Sequence, residues 1–202
     1  MGIQKVAGID EAGRGALAGP VAAAAVILPP KRRIARALGG VRDSKQMTAA
    51  QRESWAQTIQ EVALAFGVGF ASPEEIDTLG IIPATQLAAK RALSKLSANP
   101  EYLLIDYISL PDTTLPQTSF VKGDMRSLSI AAASVLAKTT RDALMVKLDD
   151  QYPSYGLAVH KGYGTVTHRS AISKLGPSPI HRLSFEPNRS YISELELSNV
   201  PT

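Results

Sequence analysis

The chain has 202 residues, of which 45% are hydrophobic, and a formal net charge of +4, which suits one globular domain with a core of ordinary size. It contains no cysteine, which excludes disulfides, thiolate catalysis and zinc–thiolate sites and favours a reducing, cytoplasmic location. The alanine-rich run at residues 21–28 is too short to span a bilayer, and three charged residues, Asp10, Glu11 and Arg14, interrupt the start that a secretory signal would need.

The first part of the chain predicts three strands with little helix between them. Apolar runs predict strands over residues 3–9, 21–28 and 64–71. A short basic helix is expected near residues 31–36. Thr48 and Gln51 form the pattern of a capping box, so a helix should run from there to about residue 62.

The second part alternates helices and strands. Ser72 and Pro73 are typical of a helix start, and a longer helix is expected over 83–96. Strands are predicted over 102–106 and 118–121, followed by a long helix over 127–149. The remainder is rich in turns, with a short helix over 166–175. This order predicts a mixed sheet with helices packed on it.

Four acidic residues stand at predicted strand ends or at a glycine turn: Asp10, Glu11, Asp106 and Asp124. If the first strand lies beside the fourth, Asp10 and Asp106 lie side by side at the edge where ligands of α/β sheets collect. Clustered carboxylates repel each other and favour a hard cation such as Mg²⁺ or Mn²⁺, in the manner of two-metal phosphodiester hydrolysis. Taken alone, an Asp-Glu pair followed by glycine more often marks an ordinary strand that ends in water.

Basic and aromatic residues supply candidates for substrate contacts. In Gly13-Arg14-Gly15, the glycines let backbone N–H groups approach a ligand and the arginine can bind phosphate. Six further basic residues could neutralise phosphates or form ordinary salt bridges: Lys45, Lys122, Lys138, Lys161, Arg141 and Arg182. Lys45 and Lys161 are preferred because both lie in motif loops. The three histidines are not spaced like a zinc site, and structural or phosphate-contact roles are favoured for them.

A series of motifs runs in order from residue 6 to about residue 185. It comprises Gly8-Ile9-Asp10-Glu11-Ala12-Gly13-Arg14-Gly15 with Leu17-Ala18-Gly19-Pro20-Val21, Asp43-Ser44-Lys45, Leu104-Ile105-Asp106, Lys122-Gly123-Asp124 with residues 129–134, Ala137-Lys138 with Arg141-Asp142, His160-Lys161-Gly162-Tyr163-Gly164-Thr165 with His168, and residues 176–182. The ordered set closely resembles the motifs of bacterial ribonuclease HII.

The resemblance implies a ribonuclease H-like α/β fold, a mixed five-stranded sheet flanked by helices with a C-terminal helical portion. Residues 1–202 would form a single catalytic domain, with about 152–202 as an extension completing the substrate groove. The implied activity is that of an endonuclease that hydrolyses the RNA strand of RNA/DNA hybrids. Such an enzyme also cuts 5′ of single ribonucleotides embedded in duplex DNA, leaving 3′-hydroxyl and 5′-phosphate ends.

The resemblance also assigns roles to residues. Asp10, Glu11, Asp106 and Asp124 become catalytic metal ligands for Mg²⁺ or Mn²⁺, with two ions expected in the substrate complex. The segment Gly13-Arg14-Gly15 reads the ribose 2′-hydroxyl through backbone groups, and Tyr163 packs on the neighbouring deoxyribose. The expected partners are RNA/DNA hybrid and ribonucleotide-containing DNA. No membrane partner is expected. The protein is expected to be a monomer.

Two residues depart from the family pattern. Ala16 stands where the family usually has proline, which loosens the expected turn, and Tyr107 stands where glycine commonly follows the strand-four acid. The second departure puts the geometry around Asp106 in question. Two alternative functions stay open at this point. Another ribonuclease H-like nuclease would cut DNA that lacks ribose, and a non-catalytic nucleic-acid-binding module would bind without turnover.

Overall fold

A computed structural model describes residues 2–41 and 47–192. Its strands are β1 (Val6–Ala12), β2 (Val21–Ile27), β3 (Ala65–Ala71), β4 (Tyr102–Asp106) and β5 (Gln117–Phe120). They form one sheet in the order β3-β2-β1-β4-β5. Strand β2 is antiparallel to both β1 and β3, whereas β4 is parallel to both β1 and β5. The predicted mixed five-stranded sheet is confirmed.

The helices follow the predicted order closely. They are α1 (Arg32–Ala37), α2 (Ala49–Val62), α3 (Pro73–Leu79), α4 (Ile81–Ser94), α5 (Leu128–Gln151), α6 (Leu157–His160) and α7 (Val166–Leu175). Helices α2 and α3 both begin with a capping box, formed by Thr48 and Gln51 in one and by Ser72 and Glu75 in the other. Among the helices of residues 2–41 and 47–192, none is long and apolar enough to cross a membrane.

The sheet has helix α4 on one face and helix α5 on the other. Gly67 and Gly69 of β3 lie under α4, and a Cβ at either position would overlap the helix backbone. Gly8 of β1 lies under α5 in the same way, because a Cβ there would overlap the helix backbone at Ser129. These glycines and the alanines of β2 let both helices pack unusually close to the sheet. Two buried apolar clusters result, one on each face.

Strand β1 differs from its prediction in a way that matters for the site. It begins at Val6 and continues through Asp10 and Glu11 to Ala12, instead of covering residues 3–9. Glu11 and Ala12 are paired with Ala23 and Ala22 of β2. The antiparallel ladder to β2 therefore extends the strand past the point where hydropathy alone would end it.

Residues after α5 fold back onto the loop that connects β1 to β2. Leu17 and Ala18 of this loop form a small apolar cluster with Met145, Leu157 and Ile172, among others. Isolated bridges pair Ala16 with Tyr163 and Ala18 with His181. The C-terminal segment therefore lies against the same loop that carries the Gly-Arg-Gly motif. The division of the chain into one domain with a groove-completing extension from about residue 152 stays a prediction.

Candidate active site

Two acidic residues lie side by side where β1 and β4 meet. In the parallel ladder Ile9 is opposite Ile105, so the following residues, Asp10 and Asp106, are neighbours. Both point to the α5 face of the sheet, since side chains alternate along each strand and Gly8, two residues before Asp10, lies against α5. The condition under which the sequence places Asp10 beside Asp106, that the first strand lies next to the fourth, is met.

Asp10 is the most buried of the four candidate acids, with 6% of its surface exposed. Its Oδ1 accepts a hydrogen bond from the N–H of Glu11 at 2.7 Å, and the Ser134 side chain on α5 also hydrogen bonds to it. Burial, and next the charges of Glu11 and Asp106, raise the pKa of Asp10 well above its ordinary value. A buried carboxylate that is repelled by two neighbouring charges favours a bound cation.

Asp106 and Asp124 are linked through a glycine. The N–H of Gly123 donates to Asp106 Oδ1 at 2.7 Å, and a Cβ on Gly123 would lie 2.7 Å from Ile130 Cδ1 and 3.3 Å from that same oxygen. Asp124 follows directly in a 3₁₀ turn over Gly123–Met125, and its Oδ1 accepts from the Met125 N–H at 3.0 Å. A side chain at position 123 would therefore press on Ile130 and on the Asp106 carboxylate, in the turn that carries Asp124.

The four candidate ligands suit a hard divalent cation, although their carboxylates do not surround a single point. All four candidate ligands are carboxylates, the ligand type that Mg²⁺ and Mn²⁺ prefer. Within residues 2–41 and 47–192, no three acidic or histidine side chains lie close enough together to hold a metal ion. One reason is that Arg14 holds Glu11, with Arg14 Nη1 lying 3.2 Å from Glu11 Oε1. The acids are gathered at one edge of the sheet without being closed around an ion.

Two buried arginines hold the loop after β1 from beneath. Arg182 is fully buried and donates from its two terminal nitrogens to the carbonyls of Gly13, at 2.7 Å, and Arg14, at 2.8 Å. Its Nε donates to the Gly19 carbonyl at 3.0 Å. Burial, and then the charge of Arg141, lower the pKa of Arg182 to about 9. Arg182 therefore stays charged at neutral pH and holds three carbonyls of one loop.

Arg141 completes this support from helix α5. It is also fully buried and donates to the carbonyls of Pro20, Ala18 and Lys161, at 2.8–3.0 Å. Burial lowers the pKa of Arg141. The guanidinium groups of Arg141 and Arg182 are buried and bonded to the protein's own carbonyls, so they are not available to neutralise phosphates. Sequence reasoning missed this role, since a buried and an exposed arginine look the same in a motif.

The orientation of the loop follows from these contacts. In a trans peptide the carbonyl of one residue and the N–H of the next point in opposite directions. Because Arg182 binds the carbonyls of Gly13 and Arg14, the N–H groups of Arg14 and Gly15 point away from it. Gly13 has φ +90° and a Cβ there would overlap Arg141, whereas the space around Gly15 is open. The turn is closed, since the Ala16 N–H donates to the Gly13 carbonyl at 3.3 Å, a bond that proline could not make.

Tyr163 lies beside this loop. The N–H of Leu17 donates to the Gly162 carbonyl at 2.8 Å, next to the bridge between Ala16 and Tyr163. The half-buried Tyr163 ring has the Lys138 Nζ 5.1 Å from its centroid. The residues around Tyr163 showed only a tyrosine between two glycines and did not indicate where it lies. The loop pairing places it next to Gly13-Arg14-Gly15.

The histidines form a buried hydrogen-bond chain behind Tyr163. His168 Nδ1 lies 3.0 Å from the Tyr163 carbonyl and must donate to it. Its Nε2 then accepts from His181 Nε2–H at 3.0 Å, and His181 Nδ1 accepts from the Ser178 N–H at 3.0 Å. All atoms are satisfied only when both rings are neutral. Burial, and next the charge of a neighbouring histidine, lower the pKa of His168 and of His181 to about 4.

Backbone strain is concentrated around the candidate residues. Among the described residues, three that are not glycine have φ between +54° and +62°: Tyr107, Lys122 and Lys161. Each stands one or two positions from Asp106, Asp124 or Tyr163. Such strain is typical of functional sites. Only Tyr107 gave any signal in the sequence, as the residue in place of the usual glycine.

The two preferred lysines have different outcomes. Lys161 is half-buried, donates from Nζ to the Ala158 carbonyl, and lines a groove with Arg52 and Thr139. Lys45, together with Asp43, lies outside the described residues. Asp142, one turn after Lys138 on α5, accepts a hydrogen bond from the Lys138 ammonium at 2.8 Å. The substrate role of Lys161 stays a prediction.

Comparison with known proteins places this geometry in a family. The sequence model of the Ribonuclease HII family matches residues 7–188. The chain is 52% identical over 198 residues to the Ribonuclease HII of Chloroflexus aurantiacus, covering 98% of this chain and 93% of that protein. It is 55% identical to that of Synechococcus sp., covering 93% and 84%. The crystal structure of ribonuclease H2 from Pyrococcus horikoshii OT3 superposes with a TM-score of 0.79 at 26% identity, covering 95% and 99%.

Proposed function

This chain belongs to the ribonuclease HII family, whose members are endoribonucleases, and from that premise we propose its reaction in detail. It hydrolyses the RNA strand of RNA/DNA hybrids and cuts 5′ of single ribonucleotides embedded in duplex DNA, leaving 3′-hydroxyl and 5′-phosphate ends. The observation that carries the proposal is the buried Asp10 beside Asp106. Strand β1, which carries Asp10, ends at Ala12, directly before the Gly13-Arg14-Gly15 loop.

Asp10, Glu11, Asp106 and Asp124 are the proposed ligands of two Mg²⁺ or Mn²⁺ ions in the substrate complex. When bound, such ions activate a water molecule for attack and stabilise the leaving oxygen. The protein supports this by holding Asp106 through Gly123 and Asp10 through Ser134. Glu11 accepts from Arg14, so full use of its carboxylate requires that Arg14 share it or move. Burial, and next the charges of Glu11 and Asp106, raise the pKa of Asp10, and a cation bound there would offset both effects.

Recognition of ribose is proposed to come from the backbone of the loop. Only a 2′-hydroxyl separates RNA from DNA at a given position. The N–H groups of Arg14 and Gly15 point away from Arg182, and we propose that they bind the 2′-hydroxyl. Polar groups held in place discriminate against a nucleotide without this hydroxyl far more strongly than steric exclusion does. Tyr163, placed beside this loop, is proposed to pack on the neighbouring deoxyribose. Gly15 supports the idea because its surroundings are open enough for a sugar to approach.

The test is cleavage of an end-labelled DNA duplex that contains one ribonucleotide, compared with an all-DNA duplex of the same sequence. Mg²⁺ and Mn²⁺ are supplied in separate reactions, and Asp10→Asn serves as the inactive control. We expect a cut directly 5′ of the ribonucleotide, absent from the all-DNA duplex and from the variant. Equal cleavage of both duplexes would instead indicate a general DNA nuclease. Binding without cleavage under either metal would indicate a non-catalytic module.

Three further proposals complete the picture. Lys161 and Lys45 contact the phosphate backbone, in keeping with the net charge of +4. The protein works as a monomer, which size-exclusion chromatography with light scattering tests directly. It acts in the cytoplasm, which fractionation of the source cells tests.

A further inference from the structure

Tyr107 has a backbone conformation that a tyrosine rarely adopts. Its φ is +62°, and the Ile108 N–H donates to the Asp106 carbonyl at 2.7 Å across it. A hydrogen bond between residues two apart around a positive φ defines the rare, strained form of γ-turn. The turn is held in place because the Tyr107 N–H donates to the Phe120 carbonyl of β5 at 2.8 Å. The sheet therefore imposes the strain directly after Asp106.

The same turn directs the Tyr107 side chain toward the loop after β1. The Arg14 guanidinium carbon lies 4.9 Å from the centroid of the Tyr107 ring, within the range of a cation–π contact. Arg14 also forms the ion pair with Glu11 at 3.2 Å. Tyr107, Arg14 and Glu11 thus form a stack that joins the end of β4 to the end of β1. The Tyr107 residue is nevertheless 60% exposed.

A strained, exposed aromatic residue adds little to stability. Glycine would adopt φ +62° without strain, and a residue with most of its surface in water gains little from burial. The contact with Arg14 is therefore the feature that Tyr107 adds over glycine. Arg14 is placed by two partners, and one of them, Glu11, is a proposed metal ligand.

We propose that Tyr107 is a positioning residue for Arg14. When Glu11 turns its charge to a divalent cation, the Tyr107 ring keeps the Arg14 guanidinium at the edge of the acid cluster. There the guanidinium meets a phosphate of the substrate backbone beside the cleaved bond, for which its paired donors are suited. This inference rests on the proposed function, since it concerns how the same site engages its nucleic acid.

The test measures binding without catalysis, so that it does not depend on activity of the metal-loaded enzyme. All variants carry Asp10→Asn, and the affinity for a fluorescent duplex with one ribonucleotide is followed by anisotropy over a range of salt concentrations. Tyr107→Leu removes the ring and should weaken binding about two- to fivefold, the value of an exposed cation–π contact. Tyr107→Phe keeps the ring and should restore the lost affinity. Phe66→Leu, an exposed aromatic on the far edge strand, is the matched control and should change nothing.

A double-mutant cycle with Arg14→Met separates positioning from a general structural effect. If Tyr107 acts through Arg14, Tyr107→Leu should cost no further affinity once Arg14 is gone. The salt dependence of binding should also fall in Tyr107→Leu toward that of Arg14→Met, by up to about one phosphate contact. Tyr107→Gly should raise the melting temperature by relieving strain while it weakens binding like Tyr107→Leu.

Two results would overturn the inference. One is an equal loss from Tyr107→Leu with and without Arg14. The other is a Tyr107→Phe variant as weak as Tyr107→Leu, which would assign the effect to the hydroxyl. Neither result touches the proposed function, which fails only if the unmodified protein does not cleave the ribonucleotide-containing duplex. The two failures are therefore distinguishable.

Discussion

The buried histidine chain predicts a loss of stability in mild acid. The neutral rings of His168 and His181 satisfy every hydrogen bond between the Tyr163 carbonyl and Ser178. A proton added to His168 would place two N–H groups against each other across the 3.0 Å contact between the rings. Lowering the pH is therefore the perturbation, and the free energy of unfolding is the quantity that should respond.

The sign and size follow from the pKa values. Both histidines have a folded pKa of about 4 against the ordinary value of 6.5, so the unfolded chain binds more protons between these values. The stabilisation is complete above pH 6.5 and is lost progressively as the pH falls toward 4. At pH 5 the contribution of each histidine to the free energy of unfolding should have fallen by about 2 kcal/mol, so the two together account for a loss of up to about 4 kcal/mol.

The assay is urea unfolding at several pH values between 8 and 4.5. Asp10 contributes with the opposite sign, since its raised pKa makes the folded state gain stability as the pH falls. The series is therefore run on Asp10→Asn, which removes that contribution. The chain has three histidines in all, so their imidazole resonances can be followed individually by NMR over the same range.

The reasoning would be refuted if the resonances of His168 and His181 moved with a midpoint near pH 6.5. It would equally fail if the free energy of unfolding stayed constant between pH 8 and pH 5 in the Asp10→Asn protein. A further variant, His181→Gln, should lower stability at pH 8 and reduce the slope below pH 6.5. An unchanged slope would show that other groups cause the pH dependence.

Three more predictions concern the site itself. Gly15→Ala should change the free energy of unfolding by less than about 0.5 kcal/mol yet reduce cleavage at a single ribonucleotide. Gly13→Ala should lower the free energy of unfolding by more than about 2 kcal/mol, because the added methyl group would overlap Arg141. Equal losses of stability in urea unfolding would contradict this. Asp10→Asn should raise the melting temperature by about 2–5 °C, because it removes a buried charge and then its repulsion by Glu11 and Asp106. Cleavage should fall about 1,000-fold or more. A lower melting temperature would count against the cost assigned to this buried charge. Arg182→Met should lower the free energy of unfolding by about 3 kcal/mol, because the carbonyls of Gly13, Arg14 and Gly19 each lose one hydrogen bond from a charged donor. A loss below about 1 kcal/mol in urea unfolding would show that water replaces the guanidinium.

Much of the local structure was predictable from the sequence because its causes are local. The capping residues Thr48 and Ser72 act within one helical turn, and strand β4 was bounded correctly at residues 102–106 by its compact apolar run. The four acids could be singled out because they stand at predicted strand ends or at a glycine turn within an ordered series of motifs. Their motif order was enough to identify the family that the comparisons then showed.

Tertiary structure alone decided how these pieces meet. The parallel pairing of β1 with β4 makes Asp10 and Asp106 neighbours across 96 residues of chain, and no local pattern specifies such a pairing. The burial of Arg182 under the Gly13 carbonyl and the strained turn at Tyr107 likewise depend on hydrogen bonds between distant segments. Sequence determined which chemical groups the protein carries, because side-chain type and local propensity are written residue by residue. The positions of these groups and the charges around them were decided by long-range packing, because they depend on which distant segments of the chain become neighbours in the fold.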